Sequence, residues 1–244
     1  MAIQVKKKRI DQLLVDRGYF DSRNLAQRYI MSGRVKVHNV VVTKPSFEVN
    51  VDASIEVDIA KHYVSRGAYK LMGALDHFGI DVRGLVCADI GASTGGFTQV
   101  LIERGAARVY AYDVGKNLLA QELRKDKRVI LMEGVNVRYL EAFPERIEFI
   151  TVDVSFISLR LIIPSLERAA SGSKILLLFK PQFEVGRDQV GKGGIVRDEE
   201  VRQKSLASFI GWLKDRGHVV VGEVPSAIKG SDGNQEYFIY GILA

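Results

Sequence analysis

Residues 89–98, DIGASTGGFT, constrain the fold more than any other stretch of this 244-residue chain. An apolar run (Leu85, Val86, Cys87, Ala88) precedes them, and a helix-like run (Phe97, Val100, Leu101, Ile102) follows. Strand, glycine turn and helix in that order make the first βα unit of a doubly wound sheet. Gly91, Gly95 and Gly96 permit a sharp turn and a close approach of backbone to a ligand. The spacing departs from the dinucleotide fingerprint G-x-G-x-x-G, because Ser93 stands where the second glycine would be. Taken alone, the turn is also compatible with any α/β protein.

The pattern continues downstream. A helix is expected at 67–78, then strands at 85–89, 108–112, 128–131, 148–153 and 174–179. Helices are expected from 96, near 116–124, at 157–169 and at 199–215, and two last strands at 218–223 and 236–242. Seven strands with interleaved helices imply a mostly parallel α/β sheet whose ligands bind beyond the carboxyl ends of the strands. The longest unbroken apolar run, Ile175 to Phe179, is far short of a membrane span. Lys6, Lys7, Lys8 and Arg9 are followed by no apolar segment of a secretory signal, so a cytoplasmic location without membrane attachment is expected. Cys87 is the lone cysteine and reads as core filler, and the four histidines are too scattered for a metal site.

Charge is unevenly spread. Residues 1–47 hold ten Lys/Arg against three Asp, while the remainder holds 25 Lys/Arg against 26 acids. A basic module joined to a near-neutral body points to a polyanionic partner, with a solvated basic face as the bland alternative. Residues 10–17 and 23–31 read as helices, the second capped by Ser22 and the first closed by Gly18. Val35, Val37 and Val40–Val42 read as short strands about a His38-Asn39 turn, and 49–57 as further strand material. The expected division is a small α+β domain at 1–60 and a second domain at 61–244, with a short connection at 58–64.

Several polar residues sit where chemistry would need them. Asp113 ends the second strand, where a carboxylate can accept from a ribose diol or cap a helix. Asn136 follows the third strand, placed to meet an adenine edge or simply to form a turn. Asp153 and Lys180 end two further strands, and Pro181 forces Lys180 into an extended conformation. They could pair for structure alone. Lys70 and Glu236 look ordinary in isolation. Gly186–Gly194 approaches a phosphate-binding loop but lacks the Ser/Thr after its lysine, since Gly193 stands there. It reads either as a glycine-rich flap beside Lys180 or as a plain surface loop.

Four resemblances sharpen this reading. The stretch Asp89–Gly96 resembles motif I of S-adenosylmethionine methyltransferases. Residues 9–57 resemble the S4 RNA-binding domain through Arg9-Ile10-Asp11, Ser22-Arg23, Ala26-Gln27, Gly33-Arg34-Val35-Lys36-Val37 and Lys44-Pro45, with Asn39 where that family usually has Gly. The body resembles the FtsJ-like RNA ribose 2′-O-methyltransferases, whose Lys-Asp-Lys-Glu tetrad matches Lys70, Asp153, Lys180 and Glu236. With YVSRGAYKL, DVSFIS, LLLFKPQFE and GNQEYF, the whole chain resembles the TlyA family, which also carries an older hemolysin label.

The resemblance implies a Rossmann-like methyltransferase sheet of seven strands behind a small S4-like domain. It implies an S-adenosylmethionine-dependent rRNA 2′-O-methyltransferase acting on ribosomal RNA or ribosomal subunits. Asp89, Gly91, Ser93, Gly95, Gly96, Asp113 and Asn136 are the expected cofactor residues. Arg9, Arg23, Arg34 and Lys36 are the expected phosphate contacts. The alternatives are a non-catalytic RNA-binding protein that keeps the fold, a membrane-active hemolysin and a base methyltransferase. The last would present a different residue set after the fourth strand than Asp153-Val154-Ser155-Phe156.

Overall fold

A computed structural model describes residues 7–20, 22–31, 33–58 and 63–244. The chain divides into two compact units that part after His62. The boundary expected after residue 60, and residues 59–62 of the expected connection, lie outside the described residues.

In the first unit, β1 (Lys7–Arg9) runs into α1 (Ile10–Asp16), and α2 (Arg23–Met31) follows. Ser22 caps α2, its Oγ accepting from the Leu25 N–H at 3.3 Å. β2 (Val35–Val37) pairs with β3 (Val40–Val41) on one side and β5 (Ile55–Val57) on the other, while β4 (Glu48–Asn50) pairs with β1. His38 and Asn39 take φ of 48° and 65°, the doubly left-handed setting of a type I′ hairpin turn. Asn39 thus occupies a position that favours Gly without breaking the turn. The strand β1 escaped the sequence reading because Lys-Lys-Arg carries no strand propensity; its pairing with β4 creates it. Ile10, Leu14, Ala26, Ile30 and Val35 are completely buried and form this unit's core.

The second unit opens with α3 (Gly67–Phe78), β6 (Val86–Ile90), α4 (Gly96–Glu103) and β7 (Arg108–Asp113). Next come α5 (Gln121–Arg124), β8 (Val129–Glu133), β9 (Phe149–Val152), α6 (Ile163–Ala170) and β10 (Lys174–Phe179). The last elements are α7 (Glu199–Asp215), β11 (Val219–Pro225) and β12 (Tyr237–Ile242). One seven-stranded sheet runs β11-β12-β10-β9-β6-β7-β8, with β12 antiparallel to both its neighbours and the strands from β10 to β8 parallel. Side chains alternate between its faces. In β10, Ile175, Leu177 and Phe179 join the layer of α6 and α7, whereas Leu176 and Leu178 join that of α3 and α4.

Two helices are shorter than the sequence suggests. The expected helix at 116–124 is confined to Gln121–Arg124, because Asn117 adopts φ 59° and Ala120 is extended. The expected helix at 157–169 is split into a 3₁₀ turn at Leu159–Leu161 and α6, whose second residue is Pro164. Proline is tolerated in a helix's first turn but not in its interior, so the break falls just before it.

Candidate active site

From β6 the chain steps to β7 and β8 on one side, then returns to place β9 on the other. Strand order reverses at the β6/β9 boundary, where open α/β sheets bind ligands. The glycine turn sits over this crevice. Gly91 N–H and Ala92 N–H both donate to the Tyr112 carbonyl, at 2.9 and 3.0 Å. Gly91 (φ 86°) has no room for a side chain, since a Cβ there would overlap the Asp153 carbonyl. Gly95 (φ 100°) opens α4. Gly96 packs closely on Ser65: a Cβ there would strike Ser65 Oγ. Asp89 is fully buried beneath the turn, accepting from Thr98 Oγ1 at 2.6 Å and Thr151 Oγ1 at 3.0 Å. Burial raises its pKa to about 6 against those hydrogen bonds. Asp89 therefore stands behind the turn, a distinction invisible in the linear motif.

Beyond β6 and β7 lies a cavity of about 450 Å³ lined by Gly91, Ser93, Asp113, Asn136, Asp153 and Ile162, among others. Asp113 is held open toward it by two backbone donors, Ser93 N–H to Oδ2 at 2.8 Å and Gly115 N–H to Oδ1 at 2.7 Å. A carboxylate has about four acceptor positions, so capacity remains for a diol. Ser93, at φ 49°, gives up ordinary backbone geometry to aim that N–H. Asn136 also lines the cavity, and its Oδ1 caps a 3₁₀ turn by accepting from Arg138 N–H at 3.1 Å. These donors, acceptors and the side-chain-free Gly91 fit a nucleoside with a polar tail.

An adjoining cavity of about 270 Å³ holds Lys70, Asp153, Lys180 and Glu236 in one wall set. Lys70 Nζ donates to Glu236 Oε2 at 2.5 Å, across 166 residues of chain. Lys180 Nζ lies 2.6 Å from Asp153 Oδ1 as an ion pair off the hydrogen-bond angle, and donates to Ser155 Oγ at 2.9 Å. Register explains the meeting. Phe179 stands opposite Tyr237 in the antiparallel β10/β12 pair, so Lys180 and Glu236 emerge side by side. Leu177 stands opposite Val152 in the parallel β9/β10 pair, which brings Asp153 alongside. Lys180 is extended (φ −117°, ψ 102°), as the following proline requires. Burial raises the Glu236 pKa while the Lys70 ammonium opposes that rise.

A third cavity, about 420 Å³, shares Lys180 and Glu236 with the second and Ser155 and Phe156 with the first. Gly193 and Gly194 line it, so part of the 186–194 loop does stand beside Lys180. Asn234, 1 % exposed, holds that loop by accepting from Val196 N–H at 2.9 Å and donating to the Gly194 carbonyl at 2.8 Å. Sequence reasoning passed over Ser155 and Phe156. Phe156 is 92 % exposed at φ 64°, with its ring 5.3 Å from that of Phe183. An aromatic three residues after Asp153 was the available signal.

In the first unit, Asp11 is completely buried and gathers two of the candidate RNA contacts. Arg9 donates to it twice (3.0 and 2.9 Å), Arg23 Nη2 once (3.0 Å) and Gln27 once (2.8 Å). These donors hold the Asp11 carboxyl well below the usual range, the Arg9 hydrogen bonds foremost. Arg34 lies over the Tyr29 ring at 5.8 Å, and Lys36 is exposed on β2.

Comparison with known proteins agrees with this architecture. Residues 8–55 match the S4 domain, and residues 63–242 match the FtsJ-like methyltransferase family. The 16S/23S rRNA (cytidine-2'-O)-methyltransferase TlyA of Mycobacterium tuberculosis is 43 % identical over 96 % of this chain and 90 % of its own length. The chain belongs to the TlyA family. Another member, Hemolysin A of Brachyspira hyodysenteriae, is 42 % identical over 96 % of this chain and 100 % of its own. A solved Streptococcus thermophilus protein described as a hemolysin candidate superposes with a TM-score of 0.74 at 40 % identity, covering 98 % of this chain and 90 % of its own. Membership accounts for the order of units seen here: an S4 unit, then an FtsJ-like methyltransferase sheet.

Proposed function

We propose that this TlyA-family chain transfers a methyl group from S-adenosylmethionine to a ribose 2′-hydroxyl of ribosomal RNA, in the cytoplasm where ribosomes are. The observation that carries this reading is the convergence of Lys70–Glu236 and Lys180–Asp153 in the second cavity, which shares lining residues with both the first, fitted to a nucleoside, and the third. Asp113 would hold the cofactor ribose, Asn136 the adenine edge, and Gly91 and Ser93 the turn that cradles it. The bound cofactor supplies an electrophilic sulfonium methyl. Everything else falls to the protein. Lys180 has three ammonium donors, one of which Ser155 engages while Asp153 pairs with the ammonium by charge. A remaining N–H addresses a hydroxyl presented from the third cavity, here the acceptor cavity, and fixes its angle of attack. Orienting reactants in this way can supply roughly 7–11 kcal/mol of barrier lowering. Lys70 and Glu236 brace the far side, each neutralising the other in a buried setting.

The S4 unit would supply affinity through phosphate contacts by Arg9, Arg23, Arg34 and Lys36. Asp11 presents the first two together. Ribosomal subunits incubated with the protein and methyl-labelled S-adenosylmethionine should acquire ribose-linked label, and Lys180→Ala should lose transfer while retaining cofactor binding. Label on a base, or undiminished transfer by Lys180→Ala, would sink the assignment. Leakage of liposomes by the pure protein, without methyl transfer, would favour the lytic alternative instead.

A further inference from the structure

The loop after β9 is the most strained part of the site. Phe156 holds φ 64° with a bulky side chain almost wholly in solvent, and such settings persist only where surrounding contacts over-determine them. Those contacts come from residues 180–184, just beyond β10. Lys180 binds the start of the loop through Asp153 and Ser155. Phe183 meets its middle through the Phe156 ring. Glu184 binds its end: Oε2 accepts from Ser158 Oγ and Oε1 from the Leu159 N–H, both at 2.7 Å. Ser158 Oγ accepts in turn from the Arg160 N–H at 3.1 Å, starting the 3₁₀ turn that follows.

Glu184 lines none of the three cavities. Its carboxyl is committed to a segment 25 residues away in the chain, although burial opposes its charge and raises its pKa. A carboxylate placed in such a setting, with both oxygens spent on one loop, acts on that loop. We propose that Glu184 is a positioning residue for the acceptor side of the reaction: it latches the loop 153–159 to the 180–184 segment and so sets Ser155, Phe156 and the Lys180 ammonium toward the acceptor cavity. The catalytic part of this inference rests on the methyl-transfer reading above; the latch itself does not.

Glu184→Ala, Glu184→Gln and Ser158→Ala separate the possibilities in steady-state methyl transfer to ribosomal subunits and in backbone amide exchange. Because small misplacements of reacting groups are expensive, Glu184→Ala should lower kcat about 100-fold with the KM for S-adenosylmethionine unchanged within about twofold. Glu184→Gln still accepts from the Leu159 N–H and should recover most of the loss. Amides of 155–159 should exchange about tenfold faster in Glu184→Ala, and those of the glycine turn at 91–98 at the wild-type rate. A near-wild-type kcat in Glu184→Ala would overturn the proposal, as would faster exchange spread equally through 91–98. Should Glu184→Ala not fold, Ser158→Ala decides: a kcat loss of about fivefold, in keeping with one removed hydrogen bond, supports the latch, and wild-type kcat refutes it. If the wild type transfers no methyl to RNA, the functional reading falls, and the latch stands or falls on the exchange pattern alone.

Discussion

At the residue scale, the polar groups around the glycine turn divide into those that face the cavity and those that shape the turn. Asp113 is of the first kind, with two backbone N–H groups aiming its oxygens at the cavity. Asp113→Ala should weaken S-adenosylmethionine binding about 10- to 100-fold, the equivalent of one or two charge-assisted hydrogen bonds, without changing thermal stability much; titration calorimetry checks the first and a thermal melt the second. Asp89 is of the second kind. Its folded pKa, about 6, lies above the ordinary 3.8. The folded state therefore binds the extra proton, and this group's contribution is full below about pH 4 and is lost as pH rises through about 6. Asp89→Asn does not titrate, so its stability relative to wild type should rise by up to about 3 kcal/mol between those limits. A thermal-melt series from pH 4 to pH 7.5 that shows a constant difference would contradict this. Cys87 behaves as the composition implied: its thiol is buried and pushed up to about 12, far from nucleophilic use.

At the element scale, periodicity was enough wherever burial is two-sided or one-sided along a whole element. β10 reads as a continuous apolar run because both its faces are covered. α7 matches the helix expected at 199–215, and Asp198 caps it, its Oδ1 accepting from Glu200 N–H at 2.8 Å. Asp198→Ala should cost about 1 kcal/mol of unfolding free energy in denaturant titration, with kcat unchanged, since Asp198 lines none of the cavities. Short elements escaped. α5 is four residues because Asn117 turns left-handed and Glu133 takes the Leu118 N–H at 3.2 Å. β1 exists only through its partner. In neither case does the local sequence hold enough information, because a distant strand or side chain supplies the deciding hydrogen bond.

At the scale of the whole molecule, the uneven charge separates affinity from chemistry. The basic excess belongs to residues 1–47, while the paired lysines and acids belong to the second unit. RNA affinity should therefore fall steeply with salt, and Arg23→Ala should reduce the log–log slope by about 1. A filter-binding series between 50 and 200 mM salt, a range over which about 10³-fold losses are ordinary for multi-phosphate contacts, tests it. Lys180→Ala should leave that slope unchanged. A slope indifferent to Arg23 would remove that residue from the RNA-binding face.

The amino-acid sequence by itself determined the longer elements and their order, because propensity, apolar period, caps and glycine turns act over a few neighbouring residues. It also identified Asp113, Asp153 and Lys180 as strand-end polar groups, since an ionisable residue directly after an apolar strand stands out locally. Tertiary structure decided the rest. Lys70 and Glu236, ordinary in their local sequence and singled out there by resemblance alone, meet through a hydrogen bond spanning 166 residues, and Lys180 meets Glu236 only because β12 inserts antiparallel beside β10 in one register. Ser155 and Glu184 gain their partners in the same way. Register is set by burying whole faces of a sheet at once, a global free-energy minimum that no short window of sequence contains.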